Sequence, residues 1–583
     1  MKFVKLAALV LFTGVLGAKA FVLNFNSFGN PRHWDLLVPD SSISTNVINT
    51  NTHAIRYFLA SDGYSATNTA AELNLVRAAF AQWQAVPGTY LKFEDAGLVT
   101  PPVDVNTSDN TNIVYWTKTS TIVNGGFDDI GGALGVAFTR FTTTDNKILQ
   151  ADIVFNGFDY PWFANFFDTN NMDTYVEGVA LHEIGHLIGL NHSPVGGATM
   201  LYAGGPGLNL QTGLSNDDSP AARHLYPTAP TNFGAVQGTI TKSGSPVFGA
   251  AVFARNAVSN VVAGTVTLTN GTYRLSSLSP GSYQIRVAPL DDSDAVDFLC
   301  RGRDIAFSFN TADTMFLPTT NIAVTVTAGN TNTADFAVTA GSPAYRITHI
   351  RTPTPNPPFS YDWGSLPTSM RVGQSNYTIG VASADLPTSG VTLTITGDGL
   401  TLGAVSSNLN AFDTGLNFWS VPISVSSNAT PGLRDFILQQ GTNIAYANGF
   451  LEIQPASFDY NFDGLDDAFQ RQYFSLFTST QAAPNSDPDG DGMNNSGEYV
   501  AGTIPTNAAS VLKMLVLTNA PSGTTVRWQS VVGKKYQVSS RTNLTTATWQ
   551  NIGSVVTATN TTAQYFDPTA TNGMRYYRAQ VLP

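Results

Sequence analysis

The chain has 583 residues, enough for about four domains by length alone. It is 43% hydrophobic and 12% charged, and its Gly-, Thr-, Ser- and Asn-rich make-up suits folded β-modules better than disorder. A net charge of -12 argues against nucleic acid and anionic membrane as partners, and fits calcium-binding surfaces and solubility outside the cell.

Residues 1–20 read as a secretory signal: Lys2 and Lys5 begin it, Leu6 to Leu16 form a short apolar run, and Ala18-Lys-Ala20 offers a small-residue cleavage site. No later stretch approaches ~20 consecutive apolar residues, so the expected product is exported and has no transmembrane segment. Cys300 is the only cysteine, which rules out an intramolecular disulfide framework; it is expected to be a small buried hydrophobe.

Residues 21–228 read as one α/β unit. Ala54 to Ala60 is a strand, and Thr69-x-x-Glu72 predicts a capped helix with Leu73, Val76, Phe80 and Trp83 on one side. Leu91 to Glu94 and Asn112 to Thr117 are further strands, and Ala137 to Phe141 and Ile148 to Phe155 flank a hairpin turn at Thr144 to Lys147. Thr174-x-x-Glu177 predicts a second capped helix, with Val176, Val179, Ala180, Ile184, Leu187 and Ile188 on its apolar side.

That second helix opens the run His182-Glu-Ile-Gly-His-Leu-Ile-Gly-Leu-Asn-His192, which holds three of the chain's seven histidines. Histidines four positions apart lie ~40° from one another around a helix, so His182 and His186 leave one face a turn apart. Gly189 stands where helices commonly end in a left-handed residue, which lets the chain swing back and present His192 as a third nitrogen ligand. Three imidazoles with a fourth position left to water describe a catalytic zinc site, and Glu183 is placed to act as its base. The bland alternative is a buried helix whose histidines only satisfy hydrogen bonds; the glycine and third histidine weigh against it.

These residues resemble the metzincin peptidases, whose H-E-x-x-H-x-x-G-x-x-H signature precedes a methionine turn beneath the metal. Met200 follows eight residues after His192, and Ser193 with that short run is most similar to the matrixin branch. Matrixins usually continue Met-Tyr-Pro, whereas this chain has Met200-Leu201-Tyr202. A tyrosine two after the methionine resembles astacins and serralysins, so Tyr202 is a candidate oxyanion donor, with a core or pocket-wall place the more expected one. The resemblance covers most of residues 50–227. It implies an exposed edge strand near Gly132 to Phe141 that pairs with extended substrate. It also implies a closing helix over Leu214 to Tyr226, with Ser215 as its cap and Asp217 and Asp218 near the positive dipole end. With no cysteine ahead of His182, a cysteine latency switch is not expected; whether another residue near the start, such as Asp35 or Asp40, blocks the metal is left open by the sequence. No histidine lies between His53 and His182, so a second zinc of the animal type is not expected.

Beyond the linker Pro227 to Pro230, short alternating strands take over. Residues 232–340 resemble the prealbumin-like, carboxypeptidase-regulatory-like sandwich, and 341–455 read as an Ig-like sandwich. Lacking clustered titratable residues, these modules are expected to serve as spacers or in adhesion. Residues 456–510 read as a paired, EF-hand-like calcium module. Asp487-Pro-Asp-Gly-Asp-Gly-Met-Asn-Asn-Ser-Gly-Glu498 matches D-x-D-x-D-G-x₅-E, with oxygens from Asp487, Asp489, Asp491, the Met493 carbonyl, Asn495 and Glu498. A weaker partner loop takes Asp459, Asn461, Asp463, Leu465, Asp467 and Gln470, the last lacking the bidentate carboxylate. The module resembles dockerin-like and thrombospondin-type calcium modules. Residues 511–583 form a last β-domain in which Trp528, Tyr536, Trp549 and Tyr576 are read as core in preference to a sugar-binding strip.

The whole reads as a secreted zinc metalloendopeptidase with structural calcium, acting on extracellular proteins or peptides. Cell-surface or matrix components are further candidate partners through the β-modules. The rival reading is a surface adhesin with a vestigial metzincin domain, since over half of the chain is accessory β-structure.

Overall fold

The central strands of the first domain are apolar on both faces, so both faces must be covered. In this computed structural model the described residues are 23, 30–39, 43–204, 212–290, 312–355, 363–364, 366–409, 415–545, 548–570 and 574–582. The expected signal segment, Asp40 and Cys300 lie outside them. The chain forms two compact units, Met1–Tyr460 and Asn461–Pro583.

The first domain comprises β1 (Ile48–Asn49), β2 (Ala54–Ala60), α1 (Thr69–Ala85), β3 (Phe93–Val99), β4 (Ile113–Thr117), β5 (Ile122–Val123), β6 (Asp128–Asp129), β7 (Gly135–Phe141), β8 (Ile148–Asn156), β9 (Trp162–Phe163), β10 (Thr174–Tyr175), α2 (Val176–Leu187) and α3 (Asp218–Leu225). Its main sheet runs β1-β2-β4-β8-β7, with β3 also pairing β2. β2, β3, β4 and β8 are mutually parallel, while β1 and β7 are antiparallel additions. Alternation sorts the strands' side chains: Val114, Trp116, Ile153 and Phe155 join the core beneath α1 and α2, whereas Ile113, Tyr115 and Val154 join a second cluster with Val105, Val123 and Ile130. The expected hairpin forms, and β7 ends the sheet.

Neither predicted capping box forms. Asn68 is the N-cap of α1, and Thr69, inside the helix, donates its hydroxyl back to the Ser65 carbonyl. Glu72 instead accepts from the Tyr64 and Ser65 amides and the Ser65 hydroxyl, closing the loop ahead of the helix. Thr174 is consumed by the parallel pairing of β10 with β9, and Glu177 turns toward α1, accepting from Gln82 Nε2 at 2.6 Å and Tyr175 Oη at 2.9 Å. The predicted Ser215 cap is also replaced: Asp217 is the N-cap residue of α3, and the Ser215 hydroxyl accepts from the Asp217 amide. The third strand begins at Phe93, later than predicted, and runs on to Val99.

Two side chains satisfy the carbonyls left open at the end of α2. Trp34 Nε1 donates to the Leu187 carbonyl at 2.8 Å, and Tyr226 Oη donates to the Ile188 carbonyl at 2.6 Å while accepting from the Trp34 amide at 3.0 Å. Trp83 Nε1 likewise donates to the Leu181 carbonyl at 2.9 Å.

After a 3₁₀ turn at Pro230–Asn232, β-structure fills the rest of the first unit. Strands Gly234–Lys242, Ser245–Pro246, Thr272–Leu278, Thr331–Thr333 and Phe336–Val338 make one sheet. An eight-stranded sheet crosses position 340/341: Ala251–Arg255, Val261–Val266, Gly281–Ala288 and Ile322–Val326 continue into Gly432–Gln440, Asn443–Gln454, Thr368–Arg371 and Thr392–Ile395 through the pairing of Val261 with Leu433. The second unit holds helices Asp467–Tyr473 and Asn495–Ala501 and two three-stranded sheets. Trp528 and Tyr536 are core there, while Trp549 lies against the Arg541 and Arg578 guanidinium groups. Among the described residues no helix is long and apolar enough to cross a membrane.

The Tyr226 hydroxyl serves two backbone groups at once. Tyr226→Phe should lower the stability of this domain by about 1–3 kcal/mol by leaving both unsatisfied. An earlier urea midpoint by tryptophan fluorescence is the expected result; an unchanged midpoint contradicts it.

Candidate metal centre

Helix α2 delivers His182 and His186 from one face, and the chain then reverses at Gly189, whose φ is +107°. A side chain there would collide with the Arg32 carbonyl, so both conformation and space ask for glycine. The reversal returns His192, and ligand nitrogens of all three rings lie within 4.8 Å of one another. His186 Nε2 is 3.1 Å from both His182 Nε2 and His192 Nε2.

The other ring nitrogens fix the tautomers. His182 Nδ1 sits 2.8 Å from the Thr199 carbonyl and His186 Nδ1 2.9 Å from the Leu190 carbonyl. A carbonyl only accepts, so each Nδ1 carries the proton and each Nε2 is left as a lone pair. Lone pairs 3.1 Å apart with no proton between them repel, and a shared cation converts that repulsion into attraction. A tetrahedral ion with Zn–N bonds of about 2.0–2.1 Å separates its nitrogens by roughly 3.3 Å, close to the spacing found. Burial holds His182 down to about 4, and burial with the neighbouring His182 holds His186 down to about 3, so both rings are neutral at pH 7, as ligands must be. The donor set therefore fits zinc.

Glu183 is buried beneath β7 and accepts a hydrogen bond from the Ala137 amide. Its Oε2 is buried without a partner, and burial pushes the carboxyl up to about 8. A Cβ at Gly135 would come within 3.0 Å of Glu183 Cγ, so the edge strand reaches the glutamate this closely only because position 135 has no side chain.

Met200 is buried under the helix, packed where a Cβ at Gly185 would strike its sulfur. Asp218 braces the methionine turn by accepting from the amides of Thr199 at 2.9 Å, Met200 at 3.3 Å and Ser215 at 2.8 Å. Asp217 accepts from the Ser193 hydroxyl at 2.6 Å. Both aspartates therefore do more than favour the dipole end of α3, and the aspartate pair is the sequence signal for this brace, whereas no local pattern marks Gly135, Gly185 or Thr199. Tyr202 sets its ring 6.4 Å from that of His192 and packs on the cluster of Val195, Ala198 and Phe253. Asp35 is paired with Lys147 at 2.9 Å.

In the second unit, carboxylate oxygens of Asp487, Asp489 and Asp491 also lie within 4.8 Å of one another. Glu498 Oε1 and Oε2, Asp489 Oδ2, Asp491 Oδ2 and Asn495 Oδ1 are buried with no hydrogen-bond partner. Burial, with the charges of Asp489 and Asp491, pushes Glu498 up to about 7. Five orphaned oxygens, two of them on those aspartates, suit a hard cation such as calcium. In the weaker loop, the Gln470 and Asn461 amides both donate to Asp463, at 2.8 and 3.0 Å.

The matrixin family model matches residues 49–227, and the carboxypeptidase regulatory-like domain model matches residues 235–291. No curated protein matches the chain. Among solved structures, GBS52, the minor pilin of Streptococcus agalactiae, is 12% identical, with 20% of this chain and 48% of that chain covered and a TM-score of 0.14. BcpA, the major pilin subunit of Bacillus cereus, is 11% identical over 38% of this chain and 69% of that chain, with a TM-score of 0.14. The Bacillus anthracis TIE protein is 10% identical over 38% and 34%, again at 0.14. The chain thus spans about half the length of the first of these pilins. Likenesses this distant carry no argument about function.

Gly185 separates helix propensity from packing. Alanine would gain about 1 kcal/mol as a helix former, but overpacking against Met200 costs about 1–3 kcal/mol. Gly185→Ala should therefore lower the thermal midpoint, and adding Met200→Ala should recover part of the loss; a raised midpoint in the single variant contradicts this packing.

Proposed function

From the premise that residues 49–227 are a matrixin-like metzincin domain, we propose that this chain is a secreted zinc-dependent endopeptidase. The observation that carries the reading is the convergence of three Nε2 atoms, two of them fixed as lone pairs, beside a buried glutamate with an unpartnered oxygen. His182, His186 and His192 would hold the ion. When bound, zinc supplies a Lewis acid and brings the pKa of a coordinated water to about 7.

The remaining work falls to the chain. Glu183 takes the proton from the attacking water and passes it to the departing amine. A cation held by the three neutral imidazoles would lower its raised pKa, restoring the carboxylate form that a base needs. β7 binds an extended substrate along its open edge by strand addition. Toward the end of that strand, Arg32 donates to the Thr139 hydroxyl and stacks on Phe141.

The proposed layout is a signal at 1–20, the peptidase at 21–228, sandwiches at 232–340 and 341–455, a calcium module at 456–510 and a β-domain at 511–583. Calcium at Asp487 to Glu498 is structural, with the Asp459 to Gln470 loop the weaker site. Substrates are extracellular proteins or peptides, and the β-modules are the surface available to cell-surface or matrix components.

Glu183→Gln should retain zinc yet lose peptide hydrolysis by about 10²- to 10⁴-fold. Chelation of the wild type should abolish activity and zinc add-back in calcium should restore it; hydrolysis by Glu183→Gln at the wild-type rate contradicts the role. At the calcium loop, a cation must displace the proton that Glu498 holds below pH about 7. Calcium affinity by calorimetry should therefore rise from pH 5 to pH 7 and level off above; a profile flat over that range contradicts the assignment.

A further inference from the structure

The loop between the third imidazole and the methionine, residues 193–199, is gripped from outside its own domain. On its inner side the Ser193 amide donates to the Met200 carbonyl at 2.7 Å, and the Ser193 hydroxyl donates to Asp217. On its outer side lies a socket made by the next two modules. The Gly264 amide, on strand Val261–Val266, donates to the other oxygen of Asp217 at 2.6 Å. The Gly196 amide donates to the Asn448 carbonyl at 2.8 Å, on strand Asn443–Gln454. Val195 and Ala198 are buried in one cluster with Phe253, Val261 and Leu433.

The fit leaves no slack. A side chain at Gly196 would collide with the Phe450 ring, and one at Gly197 with Leu433. Behind Asn448 the socket is stiffened by buried charge. Arg286 donates to the Asn448 amide oxygen and lies 3.3 Å from Asp435, whose other oxygen accepts from the Gly449 amide at 2.8 Å. Arg255 adds a second cation 3.7 Å from Asp435. A network like this is costly to disturb in part, because each member would leave a buried charge unpaired.

We propose that this socket is a positioning device for the metal centre, so that the two sandwich modules belong to the catalytic scaffold in addition to any role as spacers. It deepens the peptidase reading and rests on it. The path is short: the socket fixes residues 193–199, the Thr199 carbonyl at one end orients His182, and Ser193 at the other directly follows His192. Leu433, Phe450 and Asn448 are positioning residues that act through the loop.

The test uses the full chain with Leu433→Ala and the milder Phe450→Leu, against Ile379→Ala, a buried core substitution in the same module assigned to a different cluster from Leu433. Hydrogen exchange of amides 193–200 in metal-free protein, the zinc dissociation constant and the split between kcat and KM are measured for each. The socket variants should exchange faster in that loop and bind zinc about tenfold more weakly, as loss of support around metal ligands commonly does. Their kcat should fall by a similar factor with KM nearly unchanged, and Ile379→Ala should move none of these. Wild-type loop exchange and zinc affinity in both socket variants, or equal changes in Ile379→Ala, overturn the proposal. A wild-type chain that hydrolyses no peptide while loop exchange and zinc affinity still respond to the socket sinks the peptidase reading and leaves the socket standing.

Discussion

Lone pairs that face each other across about three ångströms are the constraint on which the centre depends. His182 and His186 each commit Nδ1 to a backbone carbonyl, so their Nε2 atoms have nothing left to offer but acceptor electrons. The chain spends specific structure to keep them there. The reversal at Gly189, its fit against the Arg32 carbonyl, and the aspartates that brace residues 193–200 all serve to hold a third imidazole opposite the first two. An arrangement that is repulsive in itself and heavily supported makes chemical sense as a cage for a cation.

The glutamate beside the cage follows the same logic. Burial raises its pKa and one oxygen has no partner, a costly state for a residue whose only task is stability. Gly135 shows how closely the sheet's last strand is fitted to it. Strand edge, base and imidazoles are thereby brought into one neighbourhood, which is the geometry an enzyme acting on extended peptides requires.

Much of this was legible in the sequence. Spacing alone placed His182 and His186 on α2, located the reversal and marked the hairpin, because those features depend on residues a few positions apart. The helix starts were misread for a converse reason. Thr174 and Glu177 have the right spacing for a reciprocal cap, but Thr174 pairs in a strand with Trp162 and Glu177 finds Gln82, nearly a hundred residues away. Ser215 lost its cap role in the same way, with the adjacent aspartates turned toward the loop beneath the metal centre. The contacts of Gly196 with Asn448 and Asp217 with Gly264 are likewise tertiary, and no local pattern announces them.

X-ray absorption at the zinc edge of the purified full-length protein tests the central claim most directly. The account predicts a first shell of three imidazole nitrogens and one oxygen at about 2.0–2.1 Å. A spectrum with no zinc bound, or with zinc in a closed shell without a solvent oxygen, would contradict it.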